Sequence, residues 1–325
     1  MRLIVRDERW PIAGAFTIAR GSKTEAHVVV VEIEDGGVIG RGESTPYSRY
    51  GETVEGVLAQ IESLRTSVEQ GVDRAGLQPL IHAGAARNAV DCALWDLAAK
   101  QVGRPVWGLA GRSEPGPVET CYTLSLAAPE VMEQAARTAS HRPWLKLKIG
   151  GPDDLARVEA VRRAAPSSKL VVDANEGLSF DDLRRLTPDF ARLGVRMIEQ
   201  PLKAGEDDAL EGYDSPVVLC ADESLHTREE LAACARRYGA VNIKLDKTGG
   251  LTEALALDDD ARALGLQVMA GCMVATSLAM APAMLVAQGA AVVDLDGPLL
   301  LARDRDPGLR FEGSVIHPPR PELWG

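Results

Sequence analysis

Lys146 and Lys148 sit two residues apart in the run LKLKI, so in an extended chain both point to one face while Leu145, Leu147 and Ile149 point to the other. Further along, short apolar runs end on single charges. Asp173 closes KLVVD, Glu199 closes RMIE, Asp222 follows VVLCA, Lys244 sits in VNIKL, and Asp294 with Asp296 closes VVDLD. Successive gaps from Lys148 are 25, 26, 23, 22 and 50 residues, the last spanning two units through a run that ends near Cys272. A strand-end carboxylate is commonly a helix cap, and a lone strand lysine commonly faces water. Two lysines on one inward face, followed by acids on the next three strands, need mutual partners or a metal. Asp173, Glu199 and Asp222 are hard oxygen donors, suited to Mg2+ or Mn2+ rather than Zn2+. Lysines beside a dication and beside each other are expected to titrate low, so that a neutral amine acts as base. Lys148 and Lys244 fall on opposite sides of the acidic runs. Two bases flanking one carbon permit proton removal from one face and return to the other, as in racemisation or epimerisation beside a metal-stabilised enolate.

The elements that must hold these residues follow from the pattern. From Val118 onward, apolar strands at Leu145–Ile149, Leu170–Asp173, Arg196–Glu199, Val217–Ala221, Val241–Leu245, Gln267–Ala270 and Val292–Leu295 alternate with amphipathic segments. Those segments are Leu155–Ala165, Phe180–Leu193, Arg228–Tyr238 and Thr252–Leu264. Repeated βα units give a doubly wound sheet or a closed barrel. No GxGxxG follows an early strand, which disfavours the dinucleotide-binding sheet, and strand-end charges are what a barrel's C-terminal mouth requires. The first ~115 residues read differently. Ala26–Ile33 and Val38–Glu43 form a hairpin about Asp35-Gly36-Gly37, then come helices at about Thr53–Glu69 and Ala85–Gln101, and Gly111–Pro117 reads as a linker.

LKLKIG, VVDANEG, IEQPL, ADESLHT and NIKLDKTGG resemble the successive strand motifs of the enolase superfamily, in its muconate-lactonising-enzyme-like branch. The resemblance covers essentially the whole chain. It implies an α/β fold: an N-terminal α+β capping domain, residues 1–115, before a modified TIM barrel, (β/α)7β, over 116–309, with the tail of about 310–325 packing back on the cap. It further implies that Lys148 and Lys244 are the acid/base pair and that Lys146 polarises the substrate carboxylate. Asp173, Glu199 and Asp222 would bind Mg2+, with Asn175 and Lys247 in support. The same lysines serve epimerases, cycloisomerases and o-succinylbenzoate synthases.

Asp294-Leu295-Asp296 separates these. Its spacing puts two carboxylates on one face, fit for a cationic amine and repulsive to substrates without one. It resembles the element by which dipeptide epimerases hold the α-ammonium group. Thr123, in CYTLSL, and the backbone around Cys272 match substrate-contacting positions of such epimerases; no histidine accompanies Cys272 to make it a nucleophile. Arg20 and Lys23 in one loop and Arg49 in another are cations that an acidic side chain could meet. The implied substrate is L-Ala-D/L-Glu, in murein peptide recycling. Another enolate-forming activity on the same site, and a catalytically silent peptide-binding barrel, are the competing readings.

The 325-residue chain carries a net charge of −11, which argues against nucleic acid and anionic membranes as partners. Five cysteines without a CxxC pair, and an N-terminus with charges where a signal peptide needs an apolar core, point to a reducing cytoplasm. The uncharged stretch between Arg262 and Asp294 is long enough to span a membrane but is broken by glycines and Pro282, so a buried βαβ unit is expected. A homo-oligomer is compatible with all of this.

Overall fold

The computed structural model describes residues 1–325. It opens with an antiparallel sheet of β1 (Arg2–Ile18), β2 (Gly21–Asp35) and β3 (Val38–Ser44), in the order β1-β2-β3. The expected hairpin is β2–β3. Strand β1 is an addition: Pro11 and Gly14 interrupt its pattern, and its register against β2 shifts between Pro11 and Phe16. Such a break is tolerated because β1 is an edge strand.

Four helices follow, α1 (Val54–Ser63), α2 (Arg65–Glu69), α3 (Arg74–Leu77) and α4 (Ala85–Val102). The segment expected as one helix over 53–69 is divided at Leu64. Helix α4 has buried residues around its whole circumference because it lies between the cap sheet and the barrel. Its close approach to β3 needs Gly40 and Gly42, where an added Cβ would lie 2.2 Å from Ala93 O and 2.1 Å from Ala89 O.

After α5 (Val106–Leu109) and the short β4 (Val118–Glu119), eight parallel strands pair in chain order. They are β5 (Tyr122–Leu124), β6 (Trp144–Lys148), β7 (Lys169–Asp173), β8 (Val195–Glu199), β9 (Val218–Ala221), β10 (Ala240–Ile243), β11 (Gln267–Gly271) and β12 (Val292–Asp294). Their connections carry α6 (Pro129–Thr138), α7 (Asp154–Ala164), α8 (Phe180–Arg192), α9 (Arg228–Arg237), α10 (Leu245–Thr248), α11 (Leu251–Ala263) and α12 (Ser277–Ala283). Between β8 and β9 there is only a 3-10 turn at Asp208–Leu210. The last strand is drawn to the first by Cys121 N to Val293 O, 2.8 Å, and Leu295 N to Thr120 Oγ1, 2.9 Å. The barrel is thereby closed to within a few bonds.

The uncharged stretch resolves into β11, α12 and β12, and no helix is long and apolar enough to cross a membrane. The strand expected to reach Leu245 stops at Ile243, since Lys244 turns directly into α10 and Gly249-Gly250, both left-handed, end that turn. Beyond α13 (Gly297–Leu300), β13 (Phe311–Glu312) pairs with β14 (Val315–Ile316), and β14 with β4. The chain end then returns to α4, where Trp324 Nε1 donates to Cys92 O and Gly325 N to Asp96 Oδ1.

Candidate active site

Alternation along the strands builds the site in tiers. An apolar floor of Cys121, Val171, Met197, Cys220, Ala240, Met269 and Val292 fills the barrel interior. Two residues further along the same strands, the inward positions become Thr123, Asp173, Glu199, Asp222, Asn242, Gly271 and Asp294. Lys146 and Lys148 share the inward face of β6, and Lys244 stands two residues beyond Asn242. All these polar side chains are buried.

The charges alternate in a row. Lys148 Nζ lies 2.5 Å from Asp173 Oδ2. Lys146 Nζ reaches Asp173 Oδ2 at 3.2 Å, Glu199 Oε2 at 2.6 Å and Asp294 Oδ2 at 2.7 Å. Lys244 Nζ lies 2.6 Å from Asp222 Oδ2 and 3.7 Å from Glu199 Oε1. Lys247 Nζ closes the row on Asp222 Oδ1, also at 2.6 Å, and donates to the carbonyls of Asp222 and Asn242. Lys148 and Lys244 therefore stand at opposite sides of the acids.

Burial alone would lower Lys146 and Lys244. Asp294, Glu199 and Asp173 outweigh it at Lys146, as do Asp222 and Glu199 at Lys244, and both are raised well above the usual value. Asp173 and Asp222 are lowered, because the neighbouring ammoniums overcome their burial. Burial and the charge of Asp173 push Glu199 up to about 7.

The three carboxylates expected to hold a metal end adjacent strands, but they do not converge as a preformed cage; each is turned to a lysine. The donor set nevertheless fits a hard dication. It consists of oxygens only, and Glu199 Oε2 is buried without a hydrogen bond, its contact with Lys146 being an ion pair alone.

On the last strand Asp296 Oδ2 accepts from Thr123 N at 2.7 Å, and Asp294 Oδ1 is buried without a partner. Burial and then Asp294 raise Asp296 to about 7. This pair still wants a donor. Cys272 lines the same cavity; burial and the two aspartates push its thiol up, so it is no nucleophile.

The cap closes the mouth over a cavity of about 570 Å³. Arg20 is not free: it donates to Asn175 O, Glu176 Oε2, Tyr47 Oη and Glu223 Oε1 at 2.7–3.1 Å. Arg49 is held by both oxygens of Glu176 at 2.7 Å. Lys23 stands apart. It lies over the Tyr47 ring at 5.5 Å, and burial lowers its pKa with no carboxylate to offset it. Two lining residues went unremarked in the sequence. Phe16 of β1 sits 5.7 Å from Lys148 Nζ, and Tyr50 packs edge-on to Tyr47 and His226 on the Lys244 side. Tyr50 belongs to a loop noted only for its cations, and Phe16 to a strand without alternation.

A parallel barrel with alternating acids and lysines at its C-terminal mouth, beneath an α+β cap, defines an acid/base enzyme of the enolase type. Residues 1–111 match the mandelate racemase / muconate lactonizing enzyme N-terminal domain and residues 130–321 the enolase C-terminal domain-like family. The chain belongs to this mandelate racemase / muconate lactonizing enzyme family of the enolase superfamily. It is 47% identical to an L-Ala-D/L-Glu epimerase of Escherichia coli (strain K12), over 96% of this chain and 98% of that protein. An Agrobacterium tumefaciens enolase family member with homology to dipeptide epimerases, solved with sodium and L-Ala-L-Glu, superposes with a TM-score of 0.97 at 52% identity, covering 99% of both chains. A dipeptide epimerase from Enterococcus faecalis V583, solved with Mg and L-Leu-L-Tyr, gives 0.90 at 28% identity, covering 98% of this chain and 97% of that one.

Proposed function

We propose that the chain is a Mg2+-dependent dipeptide epimerase that moves the α-proton of the C-terminal residue of a dipeptide, with L-Ala-D/L-Glu the preferred substrate. The observation that carries this is the placing of Lys148 and Lys244 at opposite sides of one row of acids. Asp173, Glu199 and Asp222 would hold the metal, which when bound supplies positive charge to the carboxylate whose α-carbon is losing its proton. Lys146, between those acids, orients that carboxylate. One of Lys148 and Lys244 takes the proton and the other returns one to the opposite face. The substrate ammonium pairs with Asp294, whose Oδ1 is buried without a partner, and with Asp296 two residues beyond it.

Lys23 is the cation best placed to read the acidic side chain, because Arg20 and Arg49 are already neutralised by Glu176 and Glu223. Thr123 and Cys272 line the substrate cavity, and Arg20 holds the cap loop to the barrel. The reaction belongs to the cytoplasm, where such peptides are recycled.

The test is a dipeptide library in deuterated water, read by mass and by chiral separation. The expected result is one-deuteron gain and interconversion of the C-terminal residue, strongest for Ala-Glu. Turnover of a substrate lacking an amine, with no exchange into any dipeptide, would overturn the proposal.

A further inference from the structure

Three non-glycine residues have left-handed backbones: Asn175 (φ 44°), Glu176 (φ 70°) and Gln200 (φ 35°). All three lie within three residues of the acids that end β7 and β8. Backbone strain of this kind persists where surroundings over-determine a position. Gln200, fully buried, is laced to the loops that follow β7 and β9. Its N–H donates to Cys220 O of β9 at 2.8 Å, and its carbonyl accepts from Glu176 N, beyond β7, at 2.9 Å. Its side-chain Oε1 accepts from Asp222 N at 2.8 Å and Ser224 N at 3.0 Å. Its two Nε2 protons are shared among Leu202 O at 2.8 Å, Ser224 Oγ at 2.8 Å and Tyr238 Oη at 3.1 Å.

The sense of that amide is fixed from behind. Ser224 Oγ and Tyr238 Oη each donate to Asp207 Oδ2 at 2.6 Å, and Arg237 pairs with Asp207 Oδ1 at 3.0 Å. With both hydroxyl protons committed to Asp207, the hydroxyl lone pairs are left to receive Nε2–H, which turns Oε1 toward the N–H of Asp222. A relay of Arg237, Asp207, two hydroxyls and one amide thus ends on the backbone of Asp222, while the same residue follows Glu199 in the chain.

We infer that Gln200 is a positioning residue for the metal site: it sets the backbones that carry Asp173, Glu199 and Asp222 at one spacing, with Asp207, Ser224 and Tyr238 fixing its amide. This rests on the metal reading above. A buried amide serving only to satisfy a loop would affect stability without affecting metal affinity, whereas a positioning residue sets that affinity, as outer-shell partners of metal ligands do.

The test is Mg2+ titration by calorimetry, with Mn2+ binding by electron paramagnetic resonance, on full-length protein without substrate. Gln200→Gly is the first variant, since glycine accepts φ 35° without strain. It is expected to weaken Mg2+ binding roughly 10- to 100-fold, the usual effect of losing such a partner, and to lower turnover at limiting Mg2+ more than at saturating Mg2+. Tyr238→Phe, which keeps the ring and removes one hydroxyl, should weaken binding in the same direction by a smaller factor and covers the case in which the glycine variant fails to fold. Wild-type affinity in a folded Gln200→Gly, or in Tyr238→Phe where the glycine variant does not fold, overturns the inference. If wild type itself binds no Mg2+, or Asp222→Asn binds it undiminished, the metal reading fails instead.

Discussion

Replacing Lys148 by methionine keeps most of its volume and removes one of the two bases. The row of buried charges then changes from four lysines (146, 148, 244, 247) facing four acids (173, 199, 222, 294) to three facing four. An uncompensated buried charge costs about 3–5 kcal/mol. Asp173 keeps Lys146 at 3.2 Å and the Asn175 N–H at 2.9 Å, and Glu199, already raised to about 7, can take up a proton. Both reduce the loss, so a destabilisation of about 2 kcal/mol is expected, below that upper range. Epimerisation needs both faces and should fall roughly 100- to 10,000-fold in either direction, the usual contribution of a positioned base. Exchange should fall for one epimer only. In deuterated water, proton NMR of the separate L,L and L,D dipeptides should show α-proton wash-out retained for the one epimer that Lys244 serves and lost for the other. Lys244→Met should give the mirror result. Equal loss of exchange from both epimers in both variants, with folding intact, would refute the two-faced arrangement.

Lys23→Met is expected to lower kcat/KM for Ala-Glu about 10- to 100-fold, the scale of a lost charge-assisted hydrogen bond, while Ala-Met changes little; parallel losses on both substrates would remove Lys23 from side-chain recognition. Treatment with EDTA should abolish activity and Mg2+ should restore it, with the melting temperature rising as Mg2+ is added because the ion binds only the folded chain. Burial raises Asp91 from 3.8 to about 6, against the hydrogen bonds from Thr252 that lower it. Folded Asp91 therefore keeps a proton that the unfolded chain has released, so its contribution falls as pH rises from about 4 to about 6 and is flat above, by about 3 kcal/mol at 1.36 kcal/mol per unit. Denaturant melts of wild type and Asp91→Asn across pH 4–8 should diverge over that window and run parallel beyond it.

Most of the barrel strands were legible because a charge stands at or just past the same end of each, where buried parallel strands are otherwise apolar. Lys146, Asp173, Glu199, Asp222 and Asp294 stood out as charges where none is cheap. What the sequence does not carry is which charge faces which. Arg20 reads as a free loop cation, yet its partners Glu176 and Glu223 arrive from 156 and 203 residues away, leaving Lys23 as the unneutralised one. The pairing of the lysines is equally hidden: composition supplies four ammoniums, but only geometry shows Lys146 and Lys244 wedged between acids. Strand β1 and its Phe16 escaped notice because Pro11 and Gly14 interrupt the period-two pattern on an edge where no buried face enforces it.

The place where the barrel's ends meet is also where the amine would sit. Asp296 accepts from Thr123 N, and Leu295 and Val293 join Thr120 and Cys121, so the joint between the final and initial strands includes the carboxylate proposed to meet the ammonium group. Recognition and closure therefore share atoms. A lineage drifting toward a substrate without an ammonium group cannot simply discard Asp296; it must find another acceptor for Thr123 N or leave that buried donor unmet, at about 1–3 kcal/mol. Innovation at this position is thereby coupled to the integrity of the scaffold, whereas the cap loops around Lys23 can diverge without touching the joint.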